Sequence, residues 1–167
     1  MQAIVSTQTR GEGMVEISLK PLFTMQADTA NGATHIGPVP VGYLRRVVFV
    51  TGGRFAGERL SGRILPGGGD FLMMRPDGGM HLDVRLVLET DAGELIYMTY
   101  VGRRHGPPEV MERYKNSEAV AYGEDYFRTI VQFETAASRL AWLNGILAIG
   151  AGYRTAEGAV YEIFEIE

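Results

Sequence analysis

The chain has 167 residues, 46% of them hydrophobic, so it is long enough to bury a core as one domain without covalent staples. It has no cysteine, which excludes disulfides, a thiolate nucleophile and cysteine-ligated metal centres. A net charge of -4 and a pI of 5.4 are the wrong sign for a nucleic-acid footprint, and no apolar run is long enough to span a membrane.

Residues 1–13 are polar and read as a flexible leader, and residues 14–167 as a single domain. Loose alternation predicts a first strand over residues 14–27. Residues 28–42, with Gly32, Gly37, Pro38 and Pro40, read as a long loop, either a lid or a crossing connection. Strands are then predicted at close spacing over residues 44–51, 55–65, 70–75, 80–89 and 94–101. Turn chemistry separates them: Pro66-Gly67-Gly68-Gly69, Pro76-Asp77-Gly78-Gly79 and Asp91-Ala92-Gly93 supply the fixed φ of proline and the positive φ of glycine that reversals need. One helix is predicted over residues 107–117, where prolines suit the first turn and Val110, Met111 and Tyr114 share a face. Three more strands follow, over residues 126–135, 144–154 and 159–166, with a turn or short helical piece at residues 138–143.

About nine short strands joined by hairpins, with almost no helix, leave no room for the crossovers of a parallel sheet. The fold class is therefore all-β, a single antiparallel β-barrel with one short helix, able to close around one small ligand. In residues 81–89, alternation puts Leu82, Val84, Leu86 and Leu88 on one face and His81, Asp83, Arg85 and Val87 on the other. One face packs, and the other sets an acid beside a base.

A set of motifs carries a resemblance: Thr51-Gly52-Gly53, Phe55-Ala56-Gly57, Leu65-Pro66-Gly67-Gly68, Asp70, Arg75-Pro76-Asp77-Gly78, Leu82-Asp83-Val84-Arg85, Thr90-Asp91-Ala92-Gly93, Tyr126-Phe127-Arg128, Phe133-Glu134-Thr135 and Trp142-Leu143-Asn144. Their order resembles that of the bacterial and fungal family known as domain of unknown function 3237, from about Pro21 to the end of the chain. The resemblance implies a compact antiparallel barrel that forms homo-oligomers. It also implies cofactor-free chemistry on phenolic small molecules: opening or closing oxygen heterocycles, and related eliminations or decarboxylations.

With a phenolic ligand in view, candidate roles can be assigned. Asp83 and Arg85 can converge on a ligand, the carboxylate as general base and the guanidinium as clamp for a developing phenolate; the same two residues also fit a structural ion pair. Tyr97 is a candidate acid toward a leaving oxygen, and alternation puts Tyr100 on the opposite face. Arg128 either joins Arg85 in holding an anion or ties Glu134 on its own strand. Phe71, Tyr126 and Trp142 are candidates to stack on the ring, and Asp70 is either a pocket residue or a turn cap. His81, Asp83 and His105 lack ligand spacing, so no metal and no cofactor are expected. The expected partner is a small aromatic ligand, with no nucleic acid and no membrane, in a soluble cytoplasmic protein. The other reading is a non-catalytic barrel that carries such a ligand.

Overall fold

In a computed structural model, which describes residues 16–156 and 158–167, the chain forms a closed antiparallel β-barrel. The predicted leader at residues 1–13 lies outside the described residues. In chain order the elements are β1 (Leu19–Thr29), β2 (Thr34–Val39), β3 (Tyr43–Ala56), β4 (Ser61–Ile64), β5 (Gly69–Asp70), β6 (Met73–Met74), β7 (Met80–Thr90), β8 (Leu95–His105), α1 (Pro108–Lys115), β9 (Tyr126–Glu134), a 3-10 helix (Ser138–Gly145), β10 (Ala148–Thr155) and β11 (Gly158–Ile166). The ring runs β1-β11-β10-β9-β8-β7, continues through β4, β5 and β6, which share one position, to β3, and closes where β3 pairs with β1. Every pairing in it is antiparallel, as hairpins without crossovers require.

Three expected boundaries change. The loop of residues 28–42 contains β2, which pairs with the first part of β3 outside the ring. The strands predicted at 44–51 and 55–65 are not divided at Gly52-Gly53: β3 runs through both glycines, and the break falls after Ala56. Gly53, at φ +141°, lets the β1 backbone approach so closely that a Cβ there would collide with the Gln26 carbonyl. The strand predicted at 70–75 is two short pieces, β5 and β6, flanking Phe71 and Leu72.

The inside of a small barrel is its core. Alternating residues of β7 (Leu82, Val84, Leu86, Leu88) and β8 (Ile96, Met98, Tyr100) point inward and are buried. A register shift between Pro21 and Phe23 lets β1 turn both Leu22 and Phe23 into the core. At this end Phe23 packs on Phe55 and Phe133, with ring centroids 5.3 and 6.1 Å apart, and the 3-10 helix caps the barrel with Leu140 and Leu143. Each such side chain contributes about 1.5–3 kcal/mol on burial. The other end, beneath α1, is not filled.

Candidate functional site in the barrel lumen

A cavity of about 90 Å³ occupies that end, walled by Val48, Val50, Leu72, Leu82 and Val84 and reached by Asp70, Tyr100, Arg104, Tyr114, Arg154 and Tyr161. Asp70 comes from β5, opposite Val48 of β3 and Val84 of β7. One of its oxygens, Oδ1, accepts the backbone N–H of Asp83 at 3.1 Å. Burial among the apolar walls pushes its carboxyl up to about 6. The Asp83 N–H and the Arg45 charge pull the other way, and the Asp83 carboxylate adds to the rise.

Two phenols face this acid. Tyr100 of β8 and Tyr161 of β11 lie with rings 5.4 Å apart and tilted by 56°. Each hydroxyl can donate one hydrogen bond and accept others, so the pair can offer a donor to a ligand. Burial first, and then the neighbouring negative groups including Asp70, hold both phenols well above their usual pKa. They stay protonated donors across the physiological range.

Arg104, at the end of β8, is buried and pairs through Nε with Asp125 Oδ2 at 2.5 Å. Its guanidinium lies 3.8 Å from the Tyr114 ring centroid and 4.6 Å from that of Phe127. Arg154 of β10 reaches the same Tyr114 ring at 5.7 Å. Helix α1 supplies Tyr114 and is anchored by buried Val110 and Met111. Gly152 makes room here, because a Cβ on it would meet the Phe127 ring at 2.5 Å. Buried polar atoms without a partner include Arg104 Nη2, Arg154 Nε, Asp125 Oδ1 and Thr129 Oγ1. Such atoms are rare in folded proteins and mark places where a ligand or water completes the bonding.

Of the residues singled out from the sequence, Asp70 lines the lumen and the others do not. Asp83 and Arg85 lie on the outer face of β7, paired to each other at 2.8 Å, with 45% and 49% of their side chains exposed. The polar face of β7 was expected to look into a pocket. The apolar face does so instead, because the interior of a narrow barrel is the packed core. Tyr97 also faces out, while Tyr100, three residues on, faces in. Tyr126 is exposed and stacks on His105 with centroids 4.9 Å apart, and Arg128 beside it donates to the Tyr122 hydroxyl at 3.1 Å, not to Glu134. Phe71 is exposed below the Arg85 guanidinium. Trp142 sits at the closed end under Arg59, whose Cζ is 3.6 Å from its ring. Among the described residues no three His, Asp or Glu side chains converge as a metal site, and no helix is long and apolar enough to cross a membrane.

Tyr100, Tyr161, Arg104, Arg154, Tyr114 and Asp125 were not singled out from the sequence. A signal existed for Arg104, which closes the inward series Ile96, Met98, Tyr100, Gly102 as a charge on an otherwise apolar face.

An aspartate raised to about 6, two phenols and two guanidiniums line one cavity, an arrangement chemically able to exchange a proton and to accommodate negative charge. Solved proteins share the barrel. A conserved protein from Rhodopseudomonas palustris superposes with a TM-score of 0.86 at 32% identity, covering 92% of this chain and all of that one. A β-barrel-like protein from Acinetobacter baumannii does so at 0.81 and 32%, covering 94% of this chain and all of that one. A structure described as an enzyme from Penicillium herquei has the same fold, at a TM-score of 0.71 and 21% identity over 95% of this chain and all of that one. In sequence, a UPF0311 protein of R. palustris is 34% identical over 150 residues, 90% of this chain and 97% of its own length. Residues 17–166 match the family described as "Protein of unknown function (DUF3237)", and the chain belongs to that family.

Proposed function

We propose that the protein is a cofactor-independent enzyme of the lyase or isomerase class. It takes a phenolic small molecule into the lumen and opens or closes an oxygen heterocycle, or eliminates or decarboxylates, through a phenolate or quinone-methide intermediate. The observation that carries this reading is the placement of the Asp70 carboxyl in the same cavity as the Tyr100–Tyr161 pair. Asp70 is the general base, in place of the outward-facing Asp83. At neutral pH about nine-tenths of it is ionised, and it keeps enough basicity to take a proton.

A phenol with a pKa near 10 lies about four units above Asp70, so its deprotonation costs about 5.5 kcal/mol. A preorganised donor in a dry site contributes about 3 kcal/mol to an oxyanion, so the Tyr161 hydroxyl and one further donor close most of that gap. The proton then rests on Asp70. In ring opening the phenolate electrons form the quinone methide as the benzylic C–O bond breaks and its pair leaves on that oxygen. In ring closing the phenolate oxygen adds to a conjugated double bond and leaves a carbanion, and in decarboxylation the pair left by departing CO2 passes into the quinone methide. Asp70 returns the proton to the product. The chain's own side chains supply the base and the oxyanion donor this scheme needs, and the fold is one in which a fungal relative is described as an enzyme.

The test is to mix the protein, without added metal or cofactor, with a panel of phenols that includes phenylcoumaran acids and hydroxychalcone-like enones, following absorbance and mass. Conversion by the native protein and none by Asp70→Asn is the expected result. Tight binding with no conversion of any member contradicts catalysis and favours a carrier barrel.

A further inference from the structure

Arg104 and Arg154 do not have the partners that their positions demand. Arg104 is 2% exposed, and among the described residues its one carboxylate partner, Asp125, occupies Nε and leaves Nη2 without an acceptor. Arg154 makes no side-chain hydrogen bond or ion pair among the described residues, and its Nε is also buried and unmatched. A buried donor left unpaired costs about 1–3 kcal/mol, more when it is charged, so two in one cavity are not incidental to packing. Both guanidiniums reach the same ring, that of Tyr114, so they stand together at the mouth. Asp125 pairs with Arg104, and the Arg154 guanidinium has no carboxylate paired to it among the described residues, so one carboxylate group of a ligand matches the one unpaired cation. Guanidinium forks match the two oxygens of a carboxylate.

We propose that Arg104 and Arg154 form a carboxylate subsite, and that the substrate is a monoanionic phenolic acid held at the mouth with its ring directed down the lumen toward Asp70. This rests on the phenol reading above and adds a second anchor to it. Arg154 is the adjustable arm, held by the Tyr114 ring face but by no side-chain hydrogen bond or ion pair among the described residues. Arg104 is fixed by Asp125 and by the aromatic faces of Tyr114 and Phe127, and it presents Nη2 without further ordering. Tyr114 holds both cations against its π face and so couples α1 to the occupancy of the site.

Calorimetry at neutral pH with 4-hydroxybenzoate and its neutral counterpart 4-hydroxybenzamide tests the subsite. The acid is expected to bind at least about tenfold more tightly than the amide. Arg154→Gln should remove that advantage while leaving the affinity for the amide within about twofold, which also reports that the variant is folded. Arg154→Lys, which keeps the charge and loses the fork, should fall between the two. Equal binding of acid and amide to the native protein, or an acid preference that survives Arg154→Gln, overturns the subsite and leaves the phenol reading standing. If neither compound binds, the phenol reading fails and the subsite fails with it.

Discussion

Asp83 and Asp70 are joined by one hydrogen bond through the barrel wall. The Asp83 N–H donates to Asp70 Oδ1 at 3.1 Å, while the Asp83 carboxylate turns outward to Arg85 at 2.8 Å. Two acids thirteen residues apart therefore have opposite surroundings. One is solvated and paired, and the other is buried and raised.

Replacing the inner acid should separate activity from stability. Asp70→Asn is expected to lower turnover of the phenolic substrate by at least about 100-fold. It should not destabilise the protein. Because burial raises the folded carboxyl from 3.8 to about 6, the native state binds more protons than the unfolded state between those values. The contribution of Asp70 to stability is thus greatest at or below pH 3.8 and is lost as pH rises through about 6. The loss amounts to about 1–3 kcal/mol, reduced toward the lower figure by solvent at the mouth. Urea midpoints between pH 4 and 7 should carry this downward slope in the native protein and lack it in Asp70→Asn.

Replacing the outer acid should do little. Asp83→Asn and Arg85→Ala break an exposed pair whose contribution is about 0–1 kcal/mol, so melting temperature and turnover should both stay close to native. A collapse of activity in Asp83→Asn would move the reaction to the outer face.

These two acids also mark how far the sequence could be read. Alternation in β7 correctly divides Leu82, Val84, Leu86 and Leu88 from Asp83 and Arg85, and hairpin chemistry gives an antiparallel barrel. Periodicity cannot tell which of two faces looks into a ligand space, and in a barrel this narrow the ligand space is a gap in the apolar core. Its polar groups therefore come singly from separate strands: Asp70 from a two-residue piece between glycine and Phe71, Tyr161 from β11, Arg154 from the end of β10. No local pattern links residues that meet only when the ring closes. Tyr97 and Tyr100 were separated by parity, but only the closed barrel shows that Tyr100 is the inward one.

The Arg104–Asp125 pair should dominate stability at the mouth. Asp125→Ala leaves a guanidinium buried without its counter-ion, at a cost of about 3–5 kcal/mol, which corresponds to a melting temperature lower by about 10 °C in a chain of this size. Removing both charges together in Arg104→Met/Asp125→Ala should cost less than Asp125→Ala alone, because no unpaired ion remains. Calorimetric melting of the single and double variants checks this.

Gly152→Ala should act on the lumen from its wall. The new methyl would overlap the Phe127 ring, forcing that ring to move, at a cost of about 1–3 kcal/mol. Since Phe127 lines the cavity and packs on both Arg104 and Tyr161, ligand affinity should fall along with melting temperature. Normal affinity in a destabilised variant would show that the ring yields away from the cavity.

The most direct test of a proton-transfer site in the lumen is a carbon NMR titration of the Asp70 carboxyl from pH 3 to 8, assigned by its absence in Asp70→Asn, with and without 4-hydroxybenzamide. The expected midpoint is about 6 in the free protein, displaced when the phenol binds. A midpoint near 3.9, the ordinary aspartate value, that does not respond to the phenol would contradict the assignment of Asp70 as the base.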